Sequence, residues 1–586
     1  MRPHHLTGSM AITVLTGSVL VQSTFAGDDS PSSRLHRLFD DEWERILKED
    51  PPYASALGDF RYNGRWPDVS LAARDRSEAM TIKALEQARA IAAELLSPAD
   101  RLNRRLFIRQ YEAAVSVHPH RLHLIPLNQR GGIQNESRIA DLIPFETAED
   151  YESWILRLRA FPKYVAQTMA VMTQGIREEM LHPKVIMQRV PDQIRKQLVD
   201  SPQDSLYYNP FLDMPSEISA TDQQRLQQQG RKAIKECILP SYRTFLEFFE
   251  SRYLPACYDE VGCWKRPNGQ HMYAALARKF TTTSLTPDEI HQIGQTEVVR
   301  IRREMEIVQR EIGFDGTFQE FLVHLRSDRQ FFYDNPNDLL QAYRDCCRRI
   351  DPQLPRLFHR LPEIRYEIRA IPAQMAPDTT TAYYQPPSAD GSRPGGYYVN
   401  LYRPDMRPKY EVEALSLHES VPGHHLQIAL AMELEDIPDF RRHADCTAFI
   451  EGWGLYSEKL GEELGLYQDP YSRFGQLTYE MWRAVRLVVD TGIHSKQWTR
   501  QQAIDFFASN TAKTPLDIIN EVDRYIAWPG QALAYKIGEM KIRELRARAE
   551  EQLGAAFDVR DFHQVVLGSG AVPLDVLEEL VDDWLK

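Results

Sequence analysis

Leu415-Ser-Leu-His-Glu-Ser-Val-Pro-Gly-His-His-Leu-Gln427 is the stretch on which the reading of this chain turns. His418 is followed at once by Glu419, the order in which a zinc-binding helix presents an imidazole ligand and a carboxylate base. The compact form of that motif places its second histidine four residues on, one turn away, so that both rings reach one ion. Position 422 here is proline, and the next histidines are His424 and His425. On a regular helix an offset of six lies roughly 120° off the face. Pro422 lacks the N–H that would bond to the His418 carbonyl, and its ring crowds that carbonyl. Gly423 accepts the dihedrals that a break requires. The pair predicts an interrupted helix, with His424 swinging back toward His418. His425, at an offset of seven, keeps the face but sits about 10.5 Å along the axis. It stays open as the rival second ligand.

A site of this kind needs a third protein ligand. Cys446-Thr-Ala-Phe-Ile-Glu-Gly-Trp-Gly-Leu-Tyr-Ser-Glu458 supplies a candidate, because Glu451 lies among Phe449, Ile450, Trp453 and Leu455. A carboxylate on an apolar face is costly unless it is paired or binds a metal. Two histidines with one glutamate from a second helix is a known zinc-peptidase set. A glutamate paired with an arginine in a helical core is the alternative.

His418-Glu-x-x-Pro-Gly-His424 followed by Glu451-Gly-Trp453 resembles the bacterial family called domain of unknown function 885. The resemblance extends to Asp50-Pro51 with Gly58, Leu285-Thr-Pro-Asp-Glu-Ile-His291 and Gly395-Gly-Tyr-Tyr-Val-Asn400. It continues through Leu487-Val-Val-Asp-Thr-Gly-Ile-His494 and Trp528-Pro-Gly-Gln-Ala-Leu-Ala-Tyr-Lys-Ile-Gly538. That family is in turn similar to the helical zinc peptidases, among them the oligopeptidases, angiotensin-converting enzyme and thermostable carboxypeptidases. The resemblance implies a mostly α, two-lobed zincin-like fold with a central cleft and a small β-sheet beside the metal helix. It implies one zinc ion per chain, held by His418, His424 and Glu451, with Glu419 as the base. Tyr535 resembles the tyrosine that such peptidases aim at the tetrahedral intermediate, where a phenol donates to the developing oxyanion. The implied substrate is a short peptide or another small amide; a non-peptide amide or ester hydrolase and a non-catalytic metal-binding protein are the other readings.

Length and composition set the frame for these motifs. The 586 residues allow two to four ordinary domains or one large helical unit. Contents of 43% hydrophobic and 26% charged residues are those of a soluble globular protein. Residues 1–26 read as a secretory leader: Arg2, an uncharged apolar run from Met10 to Val21, and Thr24-Phe-Ala26 before a cut. The apolar run is too short for a membrane span of roughly 20 residues. The first cysteine after the cut is Cys237, which argues against a lipid anchor. The mature chain, residues 27–586, is expected to be exported to the periplasm or medium, with sub-lobes dividing near residue 280. Losing Arg2 takes the net charge from −13 to −14, a surface poorly suited to nucleic acid or anionic membrane.

The remaining expectations concern secondary structure and supporting residues. Cys257 and Cys263 could close a small loop in an oxidising compartment, whereas adjacent Cys346 and Cys347 read as buried thiols. Thr286-Pro-Asp-Glu289 predicts a helix start, with an apolar face from Ile290 to Ile312. Ile364–Ile371 alternates and predicts a strand, and Tyr397–Tyr402 predicts a second. Between them, 377–396 reads as loop, with Tyr383 and Tyr384 inside it. In zinc peptidases an edge strand just ahead of the metal helix pairs with substrate backbone. That would place Tyr397 and Tyr398 at the substrate; an ordinary core hairpin is the alternative. Arg483 and Arg486 could grip a terminal carboxylate, or they could pair with Glu480 and Asp490. His494 is the last candidate, as a substrate-facing or structural residue.

Overall fold

The computed structural model describes residues 30–373, 375–388, 391 and 393–586. The leader read at residues 1–26 lies outside them. The chain is mostly helical, and the long helices of its first part include α1 (Pro31–Glu49), α2 (Pro98–Val117) and α3 (Ala148–Arg177). Side-chain caps explain where these begin: Ser30 accepts from the Ser33 N–H, Ser97 from that of Asp100, and Thr147 forms a reciprocal capping box with Asp150. Helix α4 (Pro287–Ile312) opens with the Thr286–Glu289 capping box that the sequence predicts and stops at left-handed Gly313.

Three short strands follow: β1 (Tyr366–Ala370), β2 (Ala382–Gln385) and β3 (Gly395–Val399). Their order is β1-β3-β2, with β3 parallel to β1 and antiparallel to β2. Two expectations are corrected here. The Tyr397 strand is the centre of the sheet, with partners on both sides, so it is no edge. The edge beside the site is β2, inside the stretch read as loop. Four residues closed by Pro386-Pro387 are too short to display a period of two.

The second half holds the helices that carry the motifs: α5 (Val412–Glu419), α6 (His424–Met432), α7 (Thr447–Leu460), α8 (Pro470–His494), α9 (Pro515–Ala527) and α10 (Ala534–Leu553). Among the described residues the larger hydrophobic core runs from Leu35 to Val581, with a second, smaller cluster around Tyr273, Ile290, Leu487 and Leu533. Helix α8 lies along α4, and nearly all of its residues from Phe474 onward are buried. Its charges therefore need partners. Fully buried Lys536 of α10 supplies one, reaching Glu480 of α8 and Glu539 at 2.9 Å and Glu297 of α4 at 3.1 Å. Helices α7 and α10 meet at Gly452 and Gly538, where a Cβ on Gly538 would lie 1.9 Å from the Ala448 carbonyl oxygen. Only glycine permits that backbone contact.

All six cysteines are free thiols. Cys257 and Cys263 do not close a loop: Cys257 donates to the Tyr253 carbonyl and Cys263 to that of Gly269, each on its own local backbone. Among the described residues no helix is long and apolar enough to cross a membrane.

Candidate metal centre

Helix α5 ends at Glu419 and α6 begins at His424, so Ser420 to Gly423 form the break. The Val421–Pro422 bond is cis. A Cβ on Gly423 would sit 1.9 Å from the His418 carbonyl oxygen, so the chain folds back on itself there as no other residue could. The result brings the His418 and His424 rings to 4.6 Å between centroids, nearly perpendicular at 80°. Glu451 arrives from α7. Its Oε2 lies 3.4 Å from His418 Nε2 and 3.4 Å from His424 Nε2.

These distances bear on what the group could hold. Zinc bonds of about 2.0–2.1 Å to nitrogen and oxygen, arranged as a tetrahedron, give edges of about 3.3–3.4 Å. The Glu451 Oε2 is also buried without a hydrogen bond among the described residues, an expensive state that a cation relieves. His418, His424 and Glu451 therefore fit a tetrahedral zinc ion as a three-residue set with a fourth position open.

The surroundings orient that set. His418 Nδ1 lies 2.8 Å from Glu458 Oε1, which leaves Nε2 for the centre. Arg483 holds the same Glu458 oxygen at 3.1 Å. Burial alone would depress the His418 ring, but Glu451 and Glu458 outweigh it and push it up to about 9. Burial likewise raises the Glu451 carboxyl, yet the two imidazoles hold it well below the usual range. Two carboxylates around one imidazole make a place that attracts positive charge. Sequence reading passed over Glu458, although a spacing of seven from Glu451 puts both on one face of α7.

A cavity of about 270 Å³ opens on the group, lined by Glu419, Tyr535, Arg486 and the β2 residues Ala382 to Tyr384. Larger hollows of about 930 and 800 Å³ elsewhere include only one histidine between them, His123, and lack this chemistry. Glu419 is largely buried, and no hydrogen bond or ion pair among the described residues engages its carboxylate. Tyr535 stands in the first turn of α10, its ring 6.4 Å from that of His418. Its hydroxyl accepts from Arg524 Nη2 at 3.1 Å, so its own hydrogen is free to donate.

His425 is placed elsewhere. Its Nδ1 accepts from the Tyr384 hydroxyl at 2.9 Å, and its Nε2 donates to the Ile364 carbonyl at 3.0 Å. Burial pushes the ring down to about 4. It ties α6 to the sheet as a neutral cross-link.

Three candidate residues do not reach the cavity. Tyr397 is fully buried against Tyr343, with centroids 5.7 Å apart, because a central strand turns alternate side chains into the core. Tyr398, on the other face, stacks on Tyr383 at 5.0 Å and leaves the lining to it. His494 is wedged between the Cys263 N–H at 3.0 Å and the Tyr525 carbonyl at 2.9 Å, and burial pushes it down to about 3. It is a structural clamp.

Arg486 does line the cavity, but its partners differ from those expected. It bonds Glu521 and the Tyr525 hydroxyl, both at 3.1 Å, and lies 4.0 Å over the Tyr535 ring. Glu480 belongs instead to Lys536 and Arg300. Asp490 accepts from the Tyr273 hydroxyl at 2.6 Å and the Gly530 N–H at 3.1 Å, and burial raises it to about 7. Two further arginines, Arg130 and Arg524, complete this wall. Nothing in their sequence neighbourhood points to it, since Arg130 comes from a distant loop.

Comparison with known proteins adds the fold's company. The family model "Bacterial protein of unknown function (DUF885)" matches residues 51–581. A crystal structure from Colwellia psychrerythraea is 29% identical, with a TM-score of 0.90, over 95% of this chain and 99% of that one. One from Shewanella oneidensis is 16% identical, with a TM-score of 0.69, over 94% and 99%, and shows the shared fold alone. Both are described as a "putative lipoprotein", the second as of unknown function. No curated protein matches the chain.

Proposed function

The chain belongs to that family of bacterial proteins of unknown function, and on that footing we propose that it is an exported zinc-dependent hydrolase, a metallopeptidase acting on short peptides. The observation that carries the reading is the position of Glu451 Oε2, 3.4 Å from the Nε2 atoms of both His418 and His424. A zinc ion held by these three would supply a water acidified toward a pKa of about 7 and polarise the scissile carbonyl.

The chain's own residues supply the remaining steps. Glu419, unengaged beside His418, takes the proton of the attacking water and hands it to the leaving amine. Tyr535 accepts from Arg524 and donates its hydrogen to the oxygen that gains charge. Glu458 keeps His418 in one tautomer. The edge strand β2 offers main-chain groups to an extended peptide whatever its sequence. A cavity of about 270 Å³ suits a few residues, not a folded protein. A cleft between two helical lobes is the matching proposal for the wider fold.

Export rests on residues 1–26 and accords with the description of the two structural neighbours. A non-catalytic metal-binding protein would have no use for Glu419 at this place. Glu419→Gln tests the point: purified protein should keep its zinc while turnover falls by about 10²- to 10⁴-fold. Unchanged hydrolysis of a peptide library, read by mass spectrometry, would remove Glu419 from the mechanism.

A further inference from the structure

One part of the cavity lining gathers Arg130, Arg486 and Arg524 around a single carboxylate, Glu521. Arg486 and Arg524 share a single carboxylate, Glu521, at 3.1 and 3.4 Å. Arg524 also bonds Gln531 Oε1 at 2.6 Å and the Tyr535 hydroxyl at 3.1 Å. Arg130, beside them, makes no side-chain hydrogen bond or ion pair among the described residues. Its guanidinium lies 5.4 Å over the ring of Trp528. Burial, then the neighbouring Arg524, push it down to about 10. The Nη1 of fully buried Arg486 has no hydrogen-bond partner among the described residues either.

Within this cluster three guanidinium groups share one carboxylate, in a cavity whose lining also includes Arg483, Glu419, Glu451 and Tyr535. Withdrawing such charge from water is costly unless an anion completes the set. The fork of an arginine matches a planar carboxylate with two parallel bonds. We propose that Arg130, together with Arg524 and Gln531, binds a carboxylate of the substrate, and that Arg130 determines specificity for it. This rests on the peptidase reading and narrows it. The substrate presents either a free C-terminal carboxylate or an acidic side chain close to the bond that is cut. Arg130 is the member of the cluster whose side chain makes no hydrogen bond or ion pair among the described residues, with Glu521 acting on it only at longer range, so its donors are available.

The test uses zinc-loaded full-length protein and two matched pairs of short peptides. One pair differs only in a free or amidated C-terminus; the other, amidated in both, differs only in Glu or Gln beside the cleaved bond. Wild type should favour one acidic member by about 10- to 100-fold in kcat/KM, and the pair that shows it identifies the source of the carboxylate. Arg130→Ala should abolish that preference through KM, costing the acidic member far more than the neutral one, and Arg130→Lys should restore part of it. Equal cleavage within both pairs, or an equal loss on acidic and neutral members in Arg130→Ala, would overturn the assignment. Calorimetry on Glu419→Gln separates this proposal from the hydrolase reading, with trialanine and trialanine amide as probes. Tighter binding of the free acid that depends on Arg130, in a protein that cleaves nothing, would keep the carboxylate site and discard the peptidase. Turnover without discrimination would do the reverse.

Discussion

Two groups of histidine and acidic residues in this molecule could be mistaken for equals. His418, His424 and Glu451 form one; His359, Asp558 and Asp561 form the other, and in both the donor atoms lie within 4.8 Å of one another. The second group lies at the surface and its members already have partners. Asp558 caps its helix through the Arg560 N–H at 2.8 Å and takes the Arg560 side chain as well, while Asp561 pairs with His359 at 2.9 Å. In the buried group, Glu451 Oε2 has no hydrogen bond among the described residues and Glu458 orients a ring. Each group brings three histidine or carboxylate donors together, but their preparation differs. What makes a metal site is donor atoms held in place with nothing else to do.

The largest expected effect tests that contrast directly. His418→Ala and Glu451→Ala should each take bound zinc from about one per chain to near none, with loss of turnover, since two protein ligands seldom hold the ion. His359→Ala should alter neither. Metal analysis showing full zinc in His418→Ala, or loss in His359→Ala, would invert the comparison.

Adjacent histidines sharpen it further. His424→Ala should emerge metal-poor, whereas His425→Ala should keep its zinc. The latter should lose about 1–3 kcal/mol of stability, because it strands the Ile364 carbonyl and the Tyr384 hydroxyl. The reverse pattern in zinc content would mean that the helix runs through Pro422. A smaller effect is expected one layer out. Glu458→Gln should weaken zinc affinity by about 10- to 100-fold while leaving the site assembled, and an unchanged chelator titration would deny it the orienting role.

The smallest effect is a slope with pH. His425, His494 and His563 are buried and pushed down to about 4, 3 and 3. Their unfolded value is about 6.5, so the unfolded chain takes up protons first as the pH falls. Each contributes nothing to the slope above that value and costs about 1.4 kcal/mol per pH unit between about 6 and 4.5. Asp490, raised to about 7, acts the other way in this window and offsets one of the three. Urea midpoints should thus drop between pH 6.5 and 4.5. A flat profile would mean that these rings are not buried neutral.

Much of this was legible in the chain because the chemistry was local. The cap at Thr286, the break at Pro422-Gly423 and the Glu451 neighbourhood all depend on residues close in sequence. The sheet was only half legible. Its strands are short, and which one lies at the edge depends on pairing across many intervening residues, so β2 was missed and Tyr397 misplaced. Arg486 and His494 mislead for another reason. Both stand on α8, which is buried on nearly every side, so no face reveals where a polar group points. Glu458 could have been found from its spacing; Arg130 could not, since only the fold brings its loop to the cavity.

The contact between Gly452 and Gly538 has a further meaning for how this site could change. Glu451 and Tyr535 hang from two helices that touch main chain to main chain, with no compressible side chain between them. A methyl group added at either glycine would act as a shim, lifting the phenol relative to the ligand triangle while all the chemical groups stayed present. The dimension that matters most to the proposed chemistry is therefore written in backbone atoms. The arginine wall, built from long side chains on separate segments, has no such gauge. On the proposed reading, it is the part that can be re-cut for a new substrate while the His418, His424 and Glu451 end stays fixed.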